Sequence, residues 1–174
     1  AGGVFVATGD VDGSGKDEII VGAGAGGAPQ VTVFSGATGK AVGSFFAYEA
    51  TFPGGVRVAA GDVDGDGRDE VVAVPGFGSG PRVRTFDFAP GSFTGTPAGD
   101  FFAYDPSFGG GLFVAVGNVT GDGRAEIVTG AGPTGGPHVQ VFTPGGTNLA
   151  GFFAYSPSFN AGVRVAVADL TGDG

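Results

Sequence analysis

Short apolar runs alternate with glycine-rich polar turns along the whole chain. In the middle of the sequence these runs are Val56-Arg-Val-Ala-Ala60, Glu70-Val-Val-Ala-Val74, Arg82-Val-Arg-Thr-Phe86 and Asp100-Phe-Phe-Ala-Tyr104. Each is short, rich in β-branched or aromatic residues, and bounded by Gly, Pro or Asp. That pattern predicts strands. No stretch carries a helical period, so the expected class is all-β.

The pattern repeats. Gly-rich acidic loops start at Asp10, Asp62, Asn118 and Asp169, at intervals of 52, 56 and 51 residues. A Phe-Phe-Ala-Tyr run starts at Phe45, Phe101 and Phe152, and a Val-x-Val-Phe run or its variant ends at Phe34, Phe86 and Phe142. The extra residues of the second repeat therefore fall between Phe86 and Phe101, in the Ala89 to Gly99 stretch, which predicts a surface loop. Four strands in a repeat of about 50 residues predict β-propeller blades of four antiparallel strands. The expected blades are about 3–53, 54–109 and 110–160, with a fourth beginning at about 161–174 and its inner strand at Val163 to Val167. Three repeats and one strand do not close a ring, so further blades are expected in cis, from a longer chain, or from another copy.

Within each repeat the first run is small. Val4/Val6, Val56/Val58, Leu112/Val114 and Val163/Val165 share one face, with alanines at 7, 59, 115 and 166 on the other. Such strands suit the crowded axis of a propeller. The bulky Phe-Phe-Ala-Tyr run suits the wide outer part, and Phe46, Phe102 and Phe153 are expected to fill the core between blades, a sugar-stacking platform being the alternative.

Composition changes this picture in three ways. Glycine is abundant, 39 of 174 residues, but it is periodic and the chain is 41% hydrophobic, which argues for a fold and not a linker. The net charge of -9 argues against a nucleic-acid or anionic-membrane surface, so nucleic-acid binding is not expected, and membrane insertion is not expected either. No apolar run approaches the roughly 18 residues of a membrane helix. No leader peptide is visible, and the chain starts within a repeat. With no cysteine, neither disulfides nor thiol chemistry are available.

The acidity concentrates in the loops. Asp10 to Glu18 reads D-V-D-G-S-G-K-D-E, Asp62 to Glu70 reads D-V-D-G-D-G-R-D-E, and Asn118 to Glu126 reads N-V-T-G-D-G-R-A-E. Alternate residues of a tight loop point inward, and calcium takes six to eight oxygens from carboxylates, carbonyls and water. The expected ligands of loop 1 are Asp10, Asp12, Ser14, the Lys16 carbonyl and Glu18. Those of loop 2 are Asp62, Asp64, Asp66, the Arg68 carbonyl and Glu70, and those of loop 3 are Asn118, Thr120, Asp122, the Arg124 carbonyl and Glu126. A truncated fourth loop offers Asp169, Thr171 and Asp173. The glycines between supply positive φ. Asp17 and Asp69 fall on the opposite parity and are expected to face solvent.

Calcium affinity is expected to fall from loop 2 to loop 1 to loop 3, following the number of acids. Two to three occupied sites are expected, and three divalent ions would bring the charge to about -3. An EF-hand fails, because its twelfth position must be Glu and is Val21, Ala73 and Thr129 here.

Other motifs carry less. Gly22 to Gly27 and Gly130 to Gly135 fit G-x-G-x-x-G, but Pro29 or Pro137 and another strand follow where a dinucleotide site needs a helix. His138, the sole histidine, stands where other repeats have Gln30 and Arg82, so no catalytic triad is expected. Positions that vary on the shared scaffold are better binding candidates. They are Phe5, Arg57, Phe113 and Arg164 on the inner strand, and the turns Ala25 to Ala28, Phe77 to Gly80 and Pro133 to Gly136 on one rim.

The order V-A-x-G-D-V-D-G-D-G-x-D-E, an apolar run, Gly-Ala-Gly and V-x-V-F resembles the FG-GAP/VCBS repeat family, the propeller repeat of integrin α-subunits and many bacterial surface proteins. The resemblance spans the chain. It departs from the family at Val74-Pro-Gly76, and at Gly54-Gly55 and Gly110-Gly111 ahead of the first strand. It implies an extracellular or cell-surface module, stabilised by calcium, that binds a protein or glycan and is not an enzyme. A piece of a propeller-based polysaccharide lyase, or a lectin, is the alternative it leaves open.

Overall fold

A computed structural model describes residues 2–170. Among them there is no helix, and the strands form three four-stranded sheets. The first holds β1 (Val4–Gly9), β2 (Glu18–Ala23), β3 (Gln30–Phe34) and β4 (Ala41–Phe46). The second holds β5 (Val56–Gly61), β6 (Glu70–Pro75), β7 (Arg82–Asp87) and β8 (Thr96–Phe102). The third holds β9 (Leu112–Gly117), β10 (Glu126–Ala131), β11 (His138–Phe142) and β12 (Asn148–Phe153). Every neighbour in a sheet is the next strand in sequence and runs antiparallel, as in propeller blades. The acidic loops close the first hairpin of each blade, where Gly9 faces Glu18, Gly61 faces Glu70 and Gly117 faces Glu126.

The core lies between the sheets. One cluster joins Ile20, Val31, Val33 and Tyr48 of the first blade to Val56, Val71, Ala73 and Phe86 of the second. Another joins Val72, Val74, Val83 and Ala103 to Leu112, Ile127 and Phe142. Each fully buried valine or phenylalanine contributes about 1.5–3 kcal/mol, so blades hold one another and a single blade has little core of its own. Two tyrosines add directed bonds across these interfaces. The Tyr48 hydroxyl donates toward the Ala73 and Arg82 carbonyls at 2.9 and 2.7 Å, and the Tyr104 hydroxyl toward those of His138 and Thr129 at 2.8 and 3.2 Å.

Glycine is required where the turns cross. A Cβ on Gly24, Gly76 or Gly132 would overlap the carbonyl oxygen of Gly2, Gly54 or Gly110. At Gly22 and Gly130 a Cβ would meet the Val56 or Val163 carbonyl of the next unit. Val74 occupies the same place in the second blade, and there the Leu112 carbonyl accepts a hydrogen bond from Arg57 at 2.5 Å.

Four expectations are corrected. The outer strand of the second blade is Thr96–Phe102, not Asp100 to Tyr104. The chain leaves the sheet after the second Phe because Ala103 N donates back to the Pro81 carbonyl at 2.9 Å. Only part of the Ala89 to Gly99 insertion is loop, since Thr96 to Gly99 belongs to β8. In the first two pairs the phenylalanines also exchange roles, and in the third both Phe152 and Phe153 are exposed. Phe45 and Phe101 pack between blades, centroids 4.6 Å from Phe86 and 5.0 Å from Phe142, whereas Phe46, Phe102 and Phe153 are 50%, 51% and 53% exposed. The register explains it: Phe45 and Phe101 lie opposite buried Val31 and Val83, while Phe46 and Phe102 lie opposite Gln30 and Arg82. Finally, 163–167 is not a hydrogen-bonded strand. A strand needs a ladder partner, and the sequence holds no second strand for that unit. Val163, Val165 and Val167 still pack on Val128 and Val139 of the third blade.

Candidate metal centres

Each acidic loop is wound by its own backbone. In loop 2 the Asp62 carboxylate accepts from the amides of Gly65, Asp66 and Gly67 at 2.6, 3.2 and 2.9 Å. Gly65 and Gly67 supply φ of 84° and 87° for this curl. In loop 1 the Asp10 carboxylate accepts from Ser14 and Gly15 at 2.9 and 2.7 Å, with Gly13 and Gly15 at φ of 75° and 79°. The curl gathers Asp10, Asp12 and Glu18 so that one oxygen of each lies within 4.8 Å of the others, and does the same for Asp62, Asp64 and Glu70. Oxygens that share a calcium ion at 2.3–2.6 Å stand at most about 5 Å apart, so both groups fit one.

The electrostatics agree with that fit. Glu18 and Glu70 are buried at the head of the second strand, and Oε2 of Glu18 and Oε1 of Glu70 have no hydrogen-bond partner. Burial pushes the Glu70 carboxyl up to about 7, and the Asp64 charge pushes the same way against the Val63 amide that donates to it at 2.8 Å. Burial, then the Asp12 charge, raises Glu18. A carboxylate with a buried, donorless oxygen, grouped with two more acids, is costly without a cation.

Loop 3 is built differently. Among the described residues it forms no three-acid group. Both oxygens of Glu126 are satisfied, Oε2 by the amides of Val119 and Thr120 at 2.9 and 3.1 Å and Oε1 by the Thr120 hydroxyl at 3.0 Å. Asn118 Oδ1 accepts from Gly121 N at 2.7 Å, and Asp122 from Arg124 N at 2.9 Å.

Not every expected ligand joins its group. Asp66 stands outside the loop 2 trio, forms an ion pair with the Arg68 side chain and accepts from Arg68 N at 2.9 Å. The Ser14 hydroxyl lies 3.5 Å from the Lys16 carbonyl. Asp169 has a further interaction, and Thr171 and Asp173 lie outside the described residues. Asp17 is exposed, but Asp69 is not the solvent-facing residue its parity suggested. Its carboxylate accepts from Asp10 N at 2.9 Å, and its own amide donates to the Asp10 carbonyl at 2.9 Å. Parity holds within one blade, whereas Asp69 faces the loop of the neighbouring blade. The insertion loop also reaches a neighbouring blade, for Gly91 N donates to the Asp12 carbonyl at 3.1 Å.

The remaining candidates are structural in their contacts. His138 lies between Tyr104 and Phe153, centroids at 5.4 and 4.8 Å, and burial lowers its pKa. The G-x-G-x-x-G segments leave β2 and β10 and turn directly into β3 and β11.

These features define a class: an all-β array of propeller blades with acidic loops at the first hairpin. Residues 6–73 match the FG-GAP-like repeat family, so this part of the chain carries that repeat. The crystal structure of the exotype rhamnogalacturonan lyase YesX is similar, with a TM-score of 0.54 at 20% identity over 84% of this chain. The match covers 29% of that chain, and at this identity it shows the fold alone. No curated protein matches.

Proposed function

We propose that the chain is a calcium-stabilised extracellular or cell-surface β-propeller module that binds a protein or glycan, in adhesion or as a scaffold, and that its calcium is structural. The observation that carries this reading is that Glu18 and Glu70 each have a buried, donorless oxygen and each belong to a group with two aspartates. Asp10, Asp12 and Glu18 would hold one ion, and Asp62, Asp64 and Glu70 another. A bound ion would supply positive charge to these carboxylates and fix the hairpin. The rim turns, with Phe77 69% exposed, offer the binding surface, and further blades in cis or from another copy would extend the array. Among the described residues no helix is long and apolar enough to cross a membrane. The test is thermal melting with calcium and with chelator. Calcium at 100 times its Kd stabilises by about 2.7 kcal/mol, and an unchanged melting temperature refutes structural calcium.

A second reading is a segment of a propeller-based polysaccharide lyase, favoured by the likeness to the rhamnogalacturonan lyase fold. Product release from polysaccharides, set against retention on a glycan array without cleavage, separates the two.

A further inference from the structure

One inner-strand position alternates in chemistry from repeat to repeat: Phe5, Arg57, Phe113 and Arg164. The fold stacks these four side chains in a row. The Arg57 guanidinium lies 5.1 Å from the Phe5 ring centroid and 4.2 Å from that of Phe113, and the Arg164 guanidinium lies 5.0 Å from Phe113. The chain has a net charge of -9, yet among the described residues neither arginine forms an ion pair. Arg57 Nη1 donates to the Leu112 carbonyl at 2.5 Å, but its Nε–H is buried with no acceptor. Burial, then the charge of Arg164, lowers the Arg57 pKa. A cavity of about 170 Å³ opens on the row, lined by these four residues and the inner-strand valines.

Two cations sharing one aromatic ring, one with an unused buried donor, lack a counter-charge. We propose that this cavity is an oxyanion site that takes a small carboxylate or phosphate between Arg57 and Arg164. The guanidinium fork presents paired N–H donors in the geometry of such anions. The phenyl rings flank the cavity with apolar surface, which strengthens the attraction by excluding water. The volume is below the roughly 300 Å³ of pockets that hold larger organic ligands. Phe5 lies five strand positions before Asp10, about 16 Å at the usual rise, so the site is independent of the metal loops.

The test is titration of the isotopically labelled chain, in calcium and low salt, with sodium acetate and separately with inorganic phosphate. Backbone amide shifts are followed by NMR. The expected result is a saturable shift at Phe5, Arg57, Phe113 and Arg164, with a Kd of about millimolar or tighter. The tighter anion names the source of the oxyanion. Arg164→Gln should weaken binding about tenfold and Arg164→Glu should abolish it, since each charge-assisted bond is worth at least that factor. Arg164 is exposed, so both variants should keep the parent melting temperature within a few degrees. Added salt should weaken binding in parallel. The proposal is overturned if neither anion gives a saturable shift at this row, or if Arg164→Glu binds as the parent does.

Discussion

Replacing Glu70 by Gln separates the two roles of its carboxylate, because the effect on stability changes sign with calcium. Glu70 is 2% exposed, and one oxygen has no donor. Burial lifts its pKa from 4.5 to about 7. Each tenfold change in a protonation equilibrium is worth about 1.4 kcal/mol, so keeping Glu70 ionised in the calcium-free fold costs about 3 kcal/mol at pH 8. Because the folded pKa is the raised one, this cost is absent below pH 4.5, grows through the interval to about 7, and is complete above it. The calcium-free protein should therefore lose stability between pH 5 and pH 8.

Glu70→Gln removes that loss. Its carbonyl can still accept from Val63 N, and its amide turns a donor toward Asp62 and Asp64, whose oxygens lie within 4.8 Å. In chelator at pH 8 the variant should melt higher than the parent, by about 6–12 °C for a chain of this size. In excess calcium the order should reverse, because the variant has lost a charged ligand. Differential scanning calorimetry in chelator and in millimolar calcium reads both arms. A variant that melts below the parent in chelator, or that gains as much from calcium as the parent, refutes the reasoning.

Two further substitutions probe the interfaces and the third loop. Tyr48→Phe removes a hydroxyl that serves two carbonyls of the next blade and should cost about 1–2 kcal/mol in a urea melt, while Tyr155→Phe, 63% exposed at the equivalent position, should change stability by less than about 0.5 kcal/mol. Thr120→Asp trades the Thr120–Glu126 hydrogen bond for a third acid, so it should destabilise the protein in chelator and raise the calcium stoichiometry by one in isothermal titration calorimetry.

What the sequence made legible was whatever depends on one blade. Period-2 apolar runs put four strands in order in each blade, with the outer strand set a few residues late, and the loop spacing brought Asp10, Asp12 and Glu18, and Asp62, Asp64 and Glu70, together, because a hairpin is closed by its own glycines. What it hid depends on two blades. Phe46 and Phe45 are adjacent and identical, and only the pairing of Phe45 with buried Val31 tells which ring enters the core. Asp69 reads as a solvent residue until the next loop is placed against it. Asp66 has the spacing of a ligand, and the sequence does not reveal that Arg68 pairs with it. Charge counts along a loop do not reveal such competition.

The same two-blade contacts say where calcium should act first. The Asp10 carbonyl accepts from Asp69 N, and the Asp62 carbonyl accepts from Ala125 N at 2.9 and 2.8 Å, so the first residue of loops 1 and 2 bonds the next blade through its backbone. Its side chain meanwhile faces its own acids. An ion that fixes Asp10 and Asp62 therefore fixes a joint between blades, whereas the ladders within a blade have their own bonds. Removing calcium should loosen the joint before the sheets. In hydrogen exchange with chelator, the amides of Asp69 and Ala125 should lose protection at concentrations of calcium where Val72 and Val128, in the middle of β6 and β10, remain protected. Simultaneous loss at all four would mean that the ion holds each blade together and not the joints between them.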